Sequence, residues 1–263
     1  MKLSAMLGLI RQNKPLIHHI TNYVTVNDCA NITLCIGASP VMSHALEEVE
    51  EMVGHAGALV LNIGTLDSSQ AASMLLAGHA ANNLNIPVIV DPVGAGATRY
   101  RTNFVQRLIE ELQISVMKGN AGEIGVLAGA DAHVRGVDSG DVNGNLPSIA
   151  QNFAHESGIT IIMTGATDIV SNGRQIITIE NGHPMMGRIS GTGCMATSVI
   201  ASFVAVSRNT AEASAAALAA FGIAGERAAA GTSGPGTFKS ALFDQLSHLT
   251  PAELGTDAKI REL

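Results

Sequence analysis

The stretch IPVIVDPVGAGATR, residues 86–99, decides the fold class, because a short apolar run ends there in an aspartate, a proline and two glycines. Two other runs have the same character, ALVLNIG at 58–64 and ITIIMTG at 159–165. None of the three alternates between apolar and polar residues, which is typical of strands that helices cover on both faces. The runs therefore predict buried strands of a mostly parallel sheet.

Helical patterns separate further strands of this kind along the chain. The predicted strands are Leu16–Ile20, Ala58–Ile63, Pro87–Val90, Ile114–Met117, Ile159–Met163, Asp168–Ser171 and Gln175–Ile179. The predicted helices are Thr25–Ile36, His44–Val53, Ser68–Leu84, Asn103–Leu112, Gly122–Ala128, Ser148–Glu156, Cys194–Val206, Ala211–Ala230 and Thr237–Leu249. This alternation predicts an α/β protein, a three-layer α/β/α sandwich with a mostly parallel central sheet. The last two strands flank an Asn-Gly turn, so we expect a hairpin at one sheet edge, and residues 129–144 are the most loop-like stretch.

The composition excludes several classes of protein. The 263 residues are 46% hydrophobic and 14% charged, and the net charge is −7. We therefore expect one ordered domain over residues 1–263, with neither the basic clusters that nucleic acids require nor those that anionic membranes require. The longest apolar candidate for a membrane span, Met195 to Val206, is too short, and the N-terminus lacks the pattern of a signal peptide. Three cysteines without a CxxC pair predict neither a disulfide framework nor a zinc site, which favours a cytoplasmic location.

Polar residues follow the predicted strands where their carboxyl ends meet at one sheet edge. Asp91 follows one strand, Lys118, Asn120 and Glu123 follow the next, and Thr164 follows a third. Asp91 and Glu123 are a candidate Mg²⁺ pair, since this ion takes one or two carboxylates together with substrate phosphates. Asn120 and Glu123 are equally well interpreted as a helix cap with its reciprocal glutamate. Lys118 either reaches a nucleotide phosphate or is solvated.

The segment GTGC, residues 191–194, opens an apolar helix and has a specific physical use. Glycines let the backbone approach a ligand, and unpaired amides of a first helical turn attract a phosphoryl group. Gly191, Gly193 and Ala196 fit a loose dinucleotide pattern, but the position late in the chain and the lack of a following acid argue against it. Gly-Lys never occurs, which excludes a Walker A loop. At this helix start we expect the pKa of Cys194 to be lowered.

The sequence contains no motif that is typical of a zinc-dependent or a serine hydrolase. The nine histidines form no HExxH motif, and no serine stands in a GxSxG setting. His18 and His19 point to opposite faces of an early strand, and at least one is expected to be a hydrogen-bonded core residue. Metal-dependent or nucleophilic hydrolysis is therefore not predicted.

Eight motifs together carry a family resemblance over about residues 15–249. They are HHITNYVTVNDCAN (18–31), GASPVMSHALEEVEEM (37–52), LVLNIGTL (59–66), PVIVDPVGAGATRYR (87–101), KGNAGEI (118–124), MTGATDIV (163–170), GTGCMATS (191–198) and GPGTFKSALFDQL (234–246). In this order they resemble the hydroxyethylthiazole kinase family, which has a ribokinase-like fold. The resemblance implies ATP-dependent phosphorylation of 4-methyl-5-(2-hydroxyethyl)thiazole with Mg²⁺, in thiamine biosynthesis or salvage. It also implies a homotrimer with the substrate site at the subunit boundary.

The resemblance also implies roles for individual residues, grouped by ligand. The thiazole contacts would be Asn22, Val24, Met42, Gly64, Thr65 and Gly191, with Pro92 and Val93 adjoining them. The ATP contacts would be Lys118, Asn120 and Thr164, the Mg²⁺ residues Asp91 and Glu123, and the catalytic residues Cys194, Gly191 and Gly193. Three positions depart from the usual pattern. Lys118 stands where the family has Arg, Gly122 where it has Ser, and Cys194 where many ribokinase-like kinases have Asp.

Other functions remain open at this level. A kinase of a related alcohol, such as hydroxymethylpyrimidine or pyridoxal, is a second possibility, and by resemblance the TNYVT and ASPVM motifs favour thiazole over pyrimidine. A nucleotide-binding protein without catalysis is a different class, and the intact Asp91, Glu123 and GTGC set argues against it. A ribokinase-like hydro-lyase acting on damaged nicotinamide cofactors is disfavoured by the N-terminal motifs.

Overall fold

The computed structural model describes the backbone of residues 3–130, 132–135, 139–142 and 144–263, with side chains for 3–130 and 144–263. The helices are α1 Leu3–Asn13, α2 Val26–Ile36, α3 Val49–Val53, α4 Ser68–Asn83, α5 Arg99–Glu111, α6 Ala121–Leu127, α7 Leu146–Ser157, α8 Thr192–Val204, α9 Thr210–Ala230, α10 Pro235–His248 and α11 Pro251–Asp257. The strands are β1 Leu16–Ile20, β2 Ser39–Met42, β3 Ala58–Asn62, β4 Val88–Asp91, β5 Val116–Asn120, β6 Ala132–Arg135, β7 Ser139–Val142, β8 Thr160–Thr164, β9 Asp168–Ser171, β10 Ile176–Ile179 and β11 Ile260–Glu262. A 3₁₀ turn covers Pro184–Arg188.

In the described part of the chain, nine strands form one sheet in the order β11-β10-β9-β8-β5-β4-β3-β1-β2. The pairs from β2 to β8 are parallel, and β8 to β11 pair antiparallel. The predicted mostly parallel sheet is therefore confirmed. The carboxyl ends of β1, β3, β4, β5 and β8 consequently lie along the same edge of the sheet.

Each face of this sheet carries its own hydrophobic core. Along β3, Ala58 and Val60 face one cluster, whereas Leu59 and Leu61 face the other, as the strand period of two requires. The first cluster includes buried residues of α1, α2, α8, α9, α10 and α11, and the second includes those of α3, α4, α5, α6 and α7. The three-layer α/β/α sandwich is confirmed.

The predicted elements match the core of the fold better than its periphery. Helix α1 was not predicted from the sequence, although Met6, Leu7 and Ile10 form a buried stripe on it. The short edge strands β2 and β11 were not predicted either. β2 contains Pro40, which an edge strand tolerates because no neighbour needs its missing N–H.

Two predictions about the periphery are corrected. The hairpin β9–β10 is present, but β11 pairs outside it, so the hairpin is not the edge of the sheet. The stretch 129–144 contains a second hairpin, β6–β7, rather than only a loop, and residues 131, 136–138 and 143 of it lie outside the described residues. Within the described residues, no helix combines the length and the apolar character that crossing a membrane requires.

Candidate active site

A cavity of about 810 Å³ opens at the carboxyl edge of the sheet. Its walls come from the ends of β4, β5 and β8, the 3₁₀ turn and the start of α8. The lining includes nine of the residues predicted from the sequence: Asp91, Val93, Lys118, Asn120, Glu123, Thr164, Gly191, Gly193 and Cys194. The expectation that the strand-end motifs converge is thus confirmed.

Lys118 and Asp91 form a buried ion pair at the floor of this cavity. Lys118 is 4% exposed and Asp91 is 1% exposed, and Lys118 Nζ lies 3.4 Å from Asp91 Oδ2. Lys118 Nζ also donates to Gly193 O at 3.1 Å. Burial is the largest single influence and would lower the pKa of Lys118, but Asp91, Cys194 and Glu123 together outweigh it, so the pKa is raised and the ammonium stays charged. Of the two roles considered for Lys118, the solvated one is wrong.

Two further donors hold the Asp91 carboxylate. Asn62 Nδ2 donates to Asp91 Oδ2 at 2.9 Å, and Thr197 Oγ1 donates to the same oxygen at 2.7 Å. Asp91 Oδ1 has Lys118 Nζ at 3.5 Å as its neighbour. One carboxylate oxygen is therefore tied to the protein, and the other keeps accepting capacity toward a ligand.

Glu123 and Asn120 form the capping box at the start of α6. Asn120 Oδ1 accepts from Glu123 N at 2.9 Å, and Glu123 Oε2 accepts from Asn120 N at 2.8 Å. Glu123 Oε1 accepts a further bond from Gly94 N at 2.8 Å. The capping interpretation is confirmed, yet Glu123 also lines the cavity. Burial and the nearby Asp91 raise the pKa of Glu123 to about 7.

These two carboxylates fit a divalent cation in their chemistry. Among the described residues no group of three or more His, Cys, Asp or Glu side chains is arranged around a common point. Mg²⁺ needs no such cage, because it is usually held by one or two carboxylates, water and substrate phosphates. Asp91 raises the pKa of Glu123 by repulsion, and a cation between the two carboxylates would relieve that repulsion.

The turn before α8 depends on Gly191. Its φ of 92° lies in the left-handed region, and a Cβ there would approach Thr25 Cγ2 to 2.6 Å. Gly191 is also the N-cap residue of α8, and no side chain caps this helix. The amides of the first turn consequently keep their hydrogen-bonding capacity beside the cavity, as an anion site requires.

Cys194 lies in that first turn, and its sulfur is held by two amides. Asn22 Nδ2 donates to Cys194 Sγ at 3.3 Å, and Asn62 Nδ2 donates to it at 3.2 Å. Burial and the carboxylate of Asp91 raise the pKa of Cys194, although Lys118 acts in the opposite direction. The predicted lowering of this pKa is wrong, because loss of solvent and the neighbouring Asp91 carboxylate disfavour the thiolate.

Asn62, which the sequence analysis missed as a functional residue, connects these groups. Besides its bonds to Asp91 and Cys194, its Oδ1 accepts from Asn22 Nδ2 and from Gly64 N, both at 2.9 Å. The available signal was a polar residue ending an apolar run, LVLN, opposite Asp91 in the register of β3 and β4. A buried asparagine with every bond used is expected to hold its neighbours in one arrangement.

Of the predicted thiazole contacts, Asn22 touches Cys194, and most of the others lie outside the cavity of this chain. A Cβ on Gly64 would approach Asn22 Cβ to 2.8 Å, and Thr65 Oγ1 accepts from Tyr23 N at 3.1 Å. Val24 is 70% exposed, and Met42 ends the edge strand β2. In the described part of the chain, Gly191 is the predicted thiazole contact that lines the cavity.

The opposite side of the cavity is formed by a turn and by small residues. Thr164 Oγ1 donates to Gly119 O at 3.3 Å, and Gly165 N donates to Asp168 Oδ1 at 2.9 Å. Burial raises the pKa of Asp168 to about 6. Gly165 and Ala166 are exposed, so this side stays open to solvent.

The two early histidines are structural. His18 Nε2 lies 2.8 Å from Ser43 O, and His19 Nε2 lies 3.1 Å from Ser198 Oγ. Burial lowers the pKa of both, that of His19 to about 4. Both are therefore neutral at pH 7, and the expectation of a hydrogen-bonded core histidine is confirmed.

Comparisons with known proteins agree with this geometry. The sequence profile of the hydroxyethylthiazole kinase family matches residues 7–252. A hydroxyethylthiazole kinase of Methanocella arvoryzae is 57% identical over 259 residues, which cover 98% of this chain and 97% of that protein. The solved structure of a hydroxyethylthiazole kinase protein from Pyrococcus horikoshii OT3 matches with a TM-score of 0.91 and 40% identity, over 99% of this chain and 98% of that one. A ribokinase-like superfamily protein from Enterococcus faecalis V583 shares the fold, with a TM-score of 0.68 and 15% identity over 92% and 89% of the two chains.

Proposed function

The chain belongs to the hydroxyethylthiazole kinase family, and we propose that the cavity at the start of α8 is its active site. The enzyme phosphorylates the hydroxyl group of 4-methyl-5-(2-hydroxyethyl)thiazole in thiamine biosynthesis. One observation carries the assignment of the site. The uncapped first turn of α8 lies beside the buried Lys118–Asp91 pair, so a transferring phosphoryl group meets both amide donors and an ammonium.

ATP is the phosphoryl donor in this proposal, and its phosphates lie against Lys118 and the Gly191–Gly193 backbone. Lys118 supplies a point charge rather than the bidentate fork of an arginine. Asn120 contributes its Nδ2 group to the nucleotide contacts. The helix cap uses only Oδ1, and Nδ2 has no hydrogen-bond partner among the described residues. Thr164 contacts the nucleotide from the open side of the cavity.

Mg²⁺ is the proposed cofactor, held by Asp91 and Glu123. When bound, the ion neutralises phosphate charge and draws the phosphate oxygens into one orientation. Asn62 and Thr197 keep Asp91 aimed at this point, and the amides of Gly94 and Asn120 do the same for Glu123. The two carboxylates thus need little rearrangement when phosphate arrives.

The thiazole hydroxyl binds near Cys194, with Asn22, Gly64 and Thr65 around the ring. The raised pKa keeps the Cys194 thiol neutral at pH 7, so it is a weak base. The thiazole oxygen forms its bond to phosphorus as the bond to ADP breaks, and the hydroxyl proton passes late to a phosphate oxygen. Such a loose transition state requires mainly positioning and charge stabilisation. Cys194 therefore orients the hydroxyl, and the Gly191–Gly193 amides contribute more to the rate.

In the proposed homotrimer, a second copy of the chain completes the part of the site that binds the thiazole alcohol. Val24 and its neighbour Tyr23 are exposed in the single chain and Met42 is half-buried, and a second copy would cover them. The substrate site then lies at the subunit boundary. Light scattering at micromolar concentration tests this proposal, and a fully active monomer would refute it.

Two broader assignments accompany this function. Residues 1–263 form a single kinase domain around one sheet. The enzyme acts in the cytoplasm, in keeping with three free cysteines. Family membership favours neither of the alternatives, a kinase of hydroxymethylpyrimidine or pyridoxal and a silent nucleotide-binding homologue.

A coupled assay of ADP release tests the function directly. The chain is supplied with Mg²⁺-ATP and, in parallel, with the thiazole, pyrimidine and pyridoxal alcohols. We expect ADP release with the thiazole alcohol at a kcat/KM far above the other two. Release with the pyrimidine alcohol and none with the thiazole would overturn the proposal.

A further inference from the structure

Arg101 in the first turn of α5 joins two loops at the active-site edge of the sheet. Its Nη1 donates to Val93 O at 2.6 Å, and its Nη2 donates to Gly64 O at 2.8 Å. Gly64 lies in the loop after β3, and Val93 lies in the loop after the neighbouring strand β4. One guanidinium fork therefore spans the two loops that flank the candidate site.

The location of this arginine has an electrostatic cost. A cation in the first turn of a helix opposes the helix dipole. No carboxylate in the described part of the chain forms an ion pair with Arg101 to offset that cost. The side chain of Arg101 is not needed to cap α5, because Thr98 Oγ1 accepts from the backbone amide of Arg101 and not from its guanidinium group. The guanidinium is therefore held where it is by the two carbonyl groups.

Both carbonyls belong to parts of the backbone that face the reacting groups. The peptide that carries Val93 O also carries Gly94 N, which donates to Glu123 Oε1 at 2.8 Å. Gly94 has a φ of 75°, so its flanking peptide units lack the steric restraint that a side chain would impose. On the other loop, Gly64 N donates to Asn62 Oδ1 while Gly64 O accepts from Arg101.

We propose that Arg101 is a positioning residue that sets the Gly64 loop at a fixed distance from the Val93–Gly94 peptide. The inference rests on the proposed function, because Gly64 is there a contact of the thiazole. Arg101 does not line the cavity, so it acts through the two loops and not on the substrate itself. Its guanidinium keeps the acceptor hydroxyl in line with the phosphoryl group, whereas the nucleotide contacts at Lys118, Asn120 and Thr164 do not depend on it.

Steady-state kinetics of Arg101→Ala and Arg101→Lys test this role, with Arg99→Ala as the matched control. Arg99 lies in the same helical turn but is exposed. The thiazole alcohol is titrated at saturating ATP, and ATP is titrated at saturating thiazole. We expect Arg101→Ala to lower kcat/KM for the thiazole by about 10- to 100-fold, since small misplacements cost rates of this order. The KM for ATP should change by less than that for the thiazole alcohol, because Glu123 keeps its bond from Asn120 N when the Val93–Gly94 peptide loosens.

Arg101→Lys keeps the charge but replaces the rigid two-nitrogen fork by one ammonium on a flexible stem, so its loss should lie between those of Ala and the wild type. Arg99→Ala should match the wild type. The inference is overturned if Arg101→Ala has wild-type kinetics, or if it raises both KM values equally as general loosening would. A wild-type chain without thiazole-dependent ADP release would instead overturn the proposed function, and this inference with it.

Discussion

Two helices of this protein begin with the same capping motif, but the pKa values of their capping glutamates are shifted in opposite directions. At α6, Asn120 and Glu123 exchange hydrogen bonds between side chain and backbone, and at α11 Thr250 and Glu253 do the same. Glu123 is 3% exposed and lines the cavity, and its pKa is raised to about 7. Glu253 is solvated, and the hydroxyl and amide of Thr250, followed by Arg227, lower its pKa to about 2.

The difference shows that the capping motif by itself carries no information about function. Both glutamates satisfy the N-cap amide of a helix, so both motifs are structural. Only Glu123 is surrounded by a second carboxylate, a buried ammonium and a ligand-sized space. Burial beside Asp91, and not the motif, makes it a candidate for binding phosphate through a metal.

Glu123→Gln is expected to have the largest effect, a fall in turnover of about 100-fold or more, since one of the two carboxylates proposed to hold Mg²⁺ is lost. The stability should change little. The amide group loses one of the bonds to backbone N–H groups, but it also removes the cost of burying a charge. Steady-state kinetics and thermal melting of the same preparation measure the two effects.

Glu253→Gln is the matched control for that experiment, because it makes the same change in the other capping box. It should keep wild-type turnover. If Glu123→Gln melts far below the wild type while its Mg²⁺-dependent turnover survives, Glu123 is only a helix cap and the comparison fails.

The start of α8 differs from both capping boxes, because no side chain caps this helix and Cys194 lies in its first turn. Cys194→Ala should leave measurable turnover, lowered about tenfold, because general-base assistance is modest in a loose transition state. Cys194→Asp should retain or increase activity, since the amides of Asn22 and Asn62 would donate to the carboxylate. Complete loss in both variants, with folding and ATP binding intact, would mean that the thiol is essential.

Removal of the two caps should also differ in its effect on stability. Asn120→Ala should lower the free energy of unfolding by about 1–2 kcal/mol, and Thr250→Ala by about 0.5–1 kcal/mol. The amide of Glu123 is left in a partly buried place, whereas water reaches the amide of Glu253. Urea unfolding of both variants measures this, and equal losses would show that burial does not distinguish the two caps.

The smallest effect is expected from Glu253→Gln on stability as a function of pH. The pKa of Glu253 is lowered from 4.5 to about 2 in the folded protein, so its ionised form stabilises the fold above pH 4.5. That contribution is lost as the pH falls from 4.5 toward 2. The melting temperature of the variant should therefore lie slightly below that of the wild type at pH 7 and converge with it near pH 2. A constant difference across this range would contradict the assignment.

The strands of the sheet centre were predictable because each is a continuous apolar run. β3, β4 and β8 are found within two residues of their predicted ends. The edge strand β2 and the short β11 were not predictable, since four and three residues carry no clear period. The predicted helix His44–Val53 is reduced to α3, and in the turn before it Ser43 Oγ donates to Glu48 Oε1 and Ser73 Oγ donates to His44 O.

The sequence by itself determined the layer order of the sandwich, the edge at which polar residues gather and, through its motifs, the family resemblance. These depend on local patterns, namely apolar runs, glycines and residue types at strand ends. Only the tertiary structure decided that Lys118 is buried against Asp91, that the pKa of Cys194 is raised and that Asn62 links the two sides of the site. The physical reason is that desolvation and Coulomb interactions depend on distances between residues far apart in the chain, which no local pattern contains.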